Sequence, residues 1–170
     1  MTADQYNAWS APFRRHPKLK TALVWYNHIV TALIAGCYLG LCAALAILSD
    51  ARFWRMLSVP ATALVFVTLL RAAINRKRPY EALAIDPLIK KNKKGHSFPS
   101  RHIFCAFAIS VAFFYMHPAA GIVSGILSIG LAISRVIAGI HFPSDVIAGA
   151  VLGTVWVALG MYLPFPFFPV

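Results

Sequence analysis

The chain has 170 residues, 59% of them hydrophobic, and a mean hydropathy of +0.70, which excludes an ordinary soluble domain and leaves room for one membrane-embedded domain over 1–170. Sixteen Lys and Arg stand against five Asp and Glu, a formal charge of +11, and in a membrane protein that balance points to anionic lipid or a phosphorylated substrate. Nucleic acid is not an expected partner, because the basic runs are short, lie between membrane-grade segments and lack interleaved aromatic residues.

Residues 1–20 are polar and carry Arg14, Arg15, Lys18 and Lys20, so no cleavable leader is expected and the first apolar stretch should stay in the mature chain. Tyr6, Trp9 and Phe13 recur there at helical spacing, which fits either a short surface helix or an unstructured tail. About 20 mostly apolar residues cross a bilayer, and five segments qualify: 22–48, 53–73, 102–117, 119–140 and 144–163. The fold class is therefore all-α, a polytopic membrane helix bundle of about five spans with an N-terminal surface helix as an addition. Trp25 and Tyr26 suit the headgroup level at the start of the first span, and Pro60 predicts a tolerated kink in the second. The third is short, with an uninterrupted apolar or small run only from Ile103 to Met116, so its start should lie below the membrane surface. Gly36/Gly40, Gly121/Gly125 and Gly149/Gly153 allow close helix approach, within the bundle or across a homodimer interface. Cys37, Cys42 and Cys105 lie in apolar runs as small hydrophobes, with neither disulfide nor zinc spacing.

Polar chemistry gathers in three segments that successive hairpins bring to one mouth of the bundle. In the first, Arg71 and Arg78 stand seven residues apart, close enough to two turns to share a helix face. Guanidinium forks suit phosphate oxygens, although snorkelling at a membrane edge would use the same residues. In the second, Ser100 is a natural N-cap before an apolar helix whose first N–H groups form an anion site, with Arg101 and His102 beside it. In the third, Arg135 ends one span and His141 precedes another that opens at Pro143, which sets His141 and Asp145 at i,i+4. A carboxylate on one ring nitrogen fixes the tautomer and leaves the other nitrogen as base or nucleophile. Asp145 could also simply neutralise Arg135.

The ordered set R-x6-RP, PSRH and SR-x5-H-x3-D resembles the three-part signature of the type 2 phosphatidic acid phosphatase, or lipid phosphate phosphatase, family: K-x6-RP, PSGH and SR-x5-H-x3-D. The resemblance covers Arg71 to Asp145 and the flanking helices. It implies that Arg71, Arg78 and Arg135 hold phosphate oxygens, with Ser100 and the backbone at Arg101 completing the cradle. It further implies that His141 attacks phosphorus to form a phosphohistidine, that Asp145 orients it, and that His102 protonates the leaving oxygen. Arg71 replaces the usual lysine and Arg101 the usual glycine. Family members commonly have six spans, so five leave a trimmed bundle or a surface helix in place of one.

Positioning and charge stabilisation suffice for phosphoryl transfer, and a divalent cation would sit among arginines with only Asp145 placed as a ligand. No metal and no cofactor are therefore expected. The expected substrate is a lipid phosphate or diphosphate in the membrane: undecaprenyl diphosphate, phosphatidylglycerophosphate or phosphatidic acid. Lys90, Lys91, Lys93 and Lys94 favour the diphosphate if they meet its second phosphate, or else form a solvated loop or a headgroup contact. A non-enzymatic binder or transporter of anionic lipids would need no oriented imidazole pair. All Lys and Arg except Arg52 and Arg55 fall on the face of the three motifs, and the positive-inside rule puts that face in the cytoplasm.

Overall fold

The computed structural model describes residues 1–90 and 93–164, and among them the chain forms seven helices and no strand. These are α1 Ala3–Arg15, α2 Pro17–Ile47, α3 Phe53–Ile74, α4 Pro79–Ala82, α5 Arg101–Met116, α6 Pro118–Ile137 and α7 Pro143–Tyr162. Proline opens α2, α4, α6 and α7, where its missing N–H has no intrahelical partner to lose and its fixed φ suits the first turn. α2, the stretch that begins with α3, α6 and α7 are long and apolar enough to cross a membrane, while α5 has 16 residues. The five expected spans thus correspond to four long helices and one short one.

The short helix is the hub. α5 packs against α2, α3, α6 and α7, and Ile103, Phe104 and Ala112 on it are fully buried. One core joins Met56, Ala63 and Val67 of α3 to Phe104 and Ala108 of α5 and Val157 of α7; a second joins Val30 and Ile34 of α2 to Ile103 and Leu131. Outward, Ile29, Leu33, Leu69, Ile126, Ile133 and Ile147 are exposed, an apolar belt suited to lipid. α2 begins well before residue 22 because Lys18 and Lys20 join the same helix. α6 stops short of residue 140 because Gly139 takes φ +74, and a Cβ there would stand 2.9 Å from the Tyr6 ring.

The N-terminal segment is a helix. Thr2 and Gln5 form a capping box at its start. Tyr6 is fully buried; its hydroxyl donates to the Asp86 carbonyl at 3.0 Å and accepts from the Leu88 N–H at 3.1 Å. The glycine pairs divide. A Cβ on Gly149 would approach the Ser100 carbonyl to 2.8 Å and one on Gly153 would overlap the Phe104 backbone, so this pair seats α7 on α5. Gly36 and Gly40 meet nothing within 4 Å. Buried hydroxyls join α5 to α6 through Ser110, which lies 2.8 Å from Ser124 Oγ and 3.3 Å from Ser128 Oγ.

Candidate active site

α3 ends at Asn75 in the left-handed region, φ 42, a conformation asparagine tolerates, and its N–H donates to the Arg71 carbonyl at 3.0 Å. That turn sends residues 76–78 back across the helix end. The Arg71 guanidinium donates to the carbonyls of His96 and Pro99, and His96 Nδ1 returns a bond to the Arg71 carbonyl at 3.0 Å. A planar fork can hold two carbonyls in this way; the point charge of a lysine matches that geometry less well. Arg78, 6% exposed, donates from Nε to the Gly95 carbonyl at 3.1 Å. Glu81 accepts the N–H groups of Arg78 and Gly95, each at 2.8 Å, so the 93–96 loop is fastened to the first segment from three directions.

Ser100 is the N-cap residue of α5, as its sequence position predicts, but its hydroxyl makes no capping bond. The side chain is fully buried, and Oγ has no partner among the described residues. Its N–H donates to the Asp145 carbonyl at 2.9 Å, which ties the second segment to the third. Arg101 is exposed and His102 partly buried.

Arg135, in the last turn of α6, is 4% exposed, and its Nε has no acceptor among the described residues. His141, 2% exposed, lies just before α7. Its Nδ1 is 3.5 Å from Asp145 Oδ2 and 3.4 Å from Ser97 Oγ. The same carboxylate oxygen accepts from the Ser97 hydroxyl and, at 3.0 Å, from the Phe142 N–H. The other oxygen accepts from Arg76 Nη1 at 2.8 Å. Asp145 is fully buried and acceptor-only when ionised, so its partners assign the proton of His141 to Nδ1 and the lone pair to Nε2. Burial holds the His141 pKa down from 6.5 to about 4; the Asp145 contact raises it, and Arg78 and Arg135 lower it further.

A cavity of about 460 Å³ gathers Arg71, Arg78, Arg101, His102, Arg135 and His141 with Lys93, Lys94, Gly95 and His96. Six of the eight site residues expected from the sequence therefore share one chamber; Ser100 and Asp145 sit behind its wall. Lys91 and Asn92 lie outside the described residues. Among the described residues no ion pair joins Arg71, Arg78, Arg101 or Arg135 to a carboxylate. Asp50 is paired with Arg52, Asp86 with Arg14 and Asp145 with Arg76. Arg76, Ser97 and His96 were not singled out by the sequence pattern. Glu81 was not singled out either, although an acid three residues after Arg78 and behind Pro79 carries the local pattern of a helix start, whereas Ser97 carries no local signal, because its role depends on a contact 48 residues away.

A profile of the PAP2 superfamily matches residues 52–168. The bacitracin transport permease protein BcrC of Bacillus licheniformis is 36% identical over 77 residues, 44% of this chain and 38% of that protein, so this chain spans well under half its length. The decaprenylphosphoryl-5-phosphoribose phosphatase of Mycobacterium tuberculosis is 29% identical over 130 residues, 75% of this chain and 70% of the relative. The crystal structure of Aquifex aeolicus LpxE superposes with a TM-score of 0.74 over 95% of each chain at 20% identity, a likeness of fold.

Proposed function

The chain belongs to the PAP2 superfamily, and from that premise we propose that it hydrolyses a membrane lipid phosphate or diphosphate through a phosphohistidine on His141, without a metal ion. The observation that carries this reading is a chamber of four guanidiniums without carboxylate partners among the described residues, fronting an imidazole whose Nδ1 faces Asp145.

His141 Nε2 gives its lone pair to phosphorus as the bond to the leaving oxygen breaks, and His102 protonates that oxygen. Water then attacks the phosphohistidine, His102 takes its proton, and phosphate leaves with His141 restored. Arg78, Arg101 and Arg135 neutralise the equatorial oxygens, with N–H groups of the first α5 turn as additional donors, and Ser100 seats that turn on the Asp145 carbonyl from behind the wall. Arg71 contributes charge while its fork organises the 96–99 loop. A chamber walled by cations suits an anion and disfavours a divalent cation beside it.

A lipid is favoured because apolar space adjoins the charged chamber. A cavity of about 100 Å³ shares Arg101 and His102 with it and continues along α5 past Cys105 and Ile109. A further one of about 210 Å³ shares Cys105 and Ile109 and adds Tyr38, Leu57 and Leu64. A polyprenyl diphosphate is the preferred substrate, since Lys93 and Lys94 add charge for a second phosphate and one relative is named for a decaprenyl-linked phosphate.

Phosphate release from farnesyl diphosphate, phosphatidylglycerophosphate and phosphatidic acid by purified protein in EDTA tests the reading. The diphosphate should be fastest. Release from none of them would leave an anionic-lipid binder, and strict dependence on added magnesium would defeat the arginine cradle. We place the protein in the cell membrane with the mouth cytoplasmic, on charge. Labelling of Lys77→Cys in a cysteine-free background by an impermeant reagent on intact cells would overturn that side.

A further inference from the structure

Asp145 is fully buried, and a carboxylate in that position requires a fixed countercharge. His141 is a poor candidate, because its imidazole is itself buried and held neutral by that burial. The cation in contact is Arg76. Its Nη1 lies 2.8 Å from Asp145 Oδ1 and 2.8 Å from Ser144 Oγ, and its guanidinium stacks 4.5 Å from the Phe142 ring centroid. The Arg76 carbonyl accepts the Ser97 N–H at 2.9 Å, and the Ser97 hydroxyl donates to Asp145 Oδ2. Arg76, Ser97 and Asp145 thus close a ring that joins the first signature segment to the third through Ser97, two residues ahead of the second. Unlike the other arginines of those segments, Arg76 does not line the chamber.

We infer that Arg76 is a positioning residue for the reaction proposed above: by fixing Oδ1 of Asp145 it aims Oδ2 at His141 Nδ1 and so aims Nε2 at phosphorus. It acts through Asp145 and leaves the phosphate to other arginines. A guanidinium suits the task because one planar group can bond the carboxylate and the Ser144 hydroxyl while lying over the Phe142 face.

The test rests on the phosphatase reading, and its control keeps the two apart. Single-turnover transfer from 32P-labelled farnesyl diphosphate to protein, trapped as acid-labile label, is measured for wild type, Arg76→Ala, Asp145→Asn and the double variant, with inhibition by inorganic phosphate alongside. Arg76→Ala should slow first transfer about 10- to 100-fold, the scale on which outer partners of functional imidazoles act. Inorganic phosphate affinity should stay within about threefold, and Arg76→Lys should recover part of the rate. In the Asp145→Asn background, removing Arg76 should cost almost nothing more, because residues acting as one unit are not additive. Should Arg76→Ala not survive purification, Arg76→Gln, which keeps a donor and drops the charge, carries the same cycle. Additive losses, or a loss appearing chiefly as weaker binding of inorganic phosphate, would overturn the inference alone. Absence of label on wild type would overturn the phosphatase reading and the inference with it.

Discussion

Behind His141, on its Nδ1 side, Asp145, Ser97 and Arg76 satisfy one another; in front, the chamber holds Arg71, Arg78, Arg101 and Arg135 without a carboxylate among the described residues to answer them. The two sides are a few ångströms apart and obey opposite rules. The rear is a completed polar network, which rigidifies and orients. The front is an electrostatic demand left open, and Arg135 meets it while almost fully buried, at a cost to folding. Front residues should therefore contribute to activity more than to stability, and rear residues to both.

The largest effect should come from the group that joins the two sides. His141→Ala should lower phosphate release by at least about 10³-fold and abolish acid-labile label, as removal of a nucleophile does, while the protein remains folded and membrane-inserted. Near-normal turnover would end the covalent mechanism.

Next, Asp145→Asn and Arg135→Met set rear against front. Each should slow first transfer by about 100-fold or more, through tautomer control in one and lost oxyanion charge in the other. Their stabilities should diverge. Asp145→Asn removes the charge and keeps only one acceptor oxygen, so it strands either Arg76 or the Ser97 and Phe142 donors, and should cost about 1–3 kcal/mol. Arg135→Met removes a buried cation and should leave the thermal midpoint in detergent equal or higher when no phosphate is present. Equal destabilisation by both would break the comparison.

The same division explains what could be read before any coordinates. The front was legible as a cluster because its residues stand at fixed spacings at helix ends that meet at one mouth: Arg71 and Arg78, Arg101 and His102, Arg135 and His141. The helices were legible for a similar reason, since spans must be long and apolar, and errors fell at ends such as Pro17 and Ile137 where caps and tertiary contacts decide. The rear was half legible. Spacing paired His141 with Asp145, but the partners of Asp145 on its far side come from distant segments and have no periodicity to betray them. Arg76 stood among other cations with nothing local to set it apart. Ser100 shows the converse: it holds the N-cap position expected from the sequence, while its buried hydroxyl makes no capping bond.

A smaller effect should separate the substrates. Protonation matters most when the departing oxygen is strongly basic, and less when the leaving group is already a phosphate. His102→Ala should therefore slow first transfer from phosphatidic acid about tenfold more than from farnesyl diphosphate, under single-turnover conditions in one detergent. Equal slowing would make His102 a phosphate-holding residue and remove its acid role.

The smallest expected change is in the charge of His141 itself. Burial puts its folded pKa near 4, below the ordinary 6.5, so folding favours the neutral ring. The stability gained by keeping it neutral is complete above pH 6.5 and lost as pH falls through about 4, on the order of 3 kcal/mol in all. Between pH 7.5 and 5.5 the imidazole should stay almost unprotonated, at most about 3%, where an unperturbed ring would be about nine-tenths charged. Nitrogen-15 resonances of labelled histidine, assigned by difference from His141→Ala, would follow this directly. Adding inorganic phosphate should then raise the midpoint, because an anion in front of Nε2 favours the charged ring. Arg135→Met should blunt that rise by weakening the anion's hold. A ring that titrates near 6.5 without phosphate would mean that the rear is open to water and that the difference between the two sides does not exist in solution.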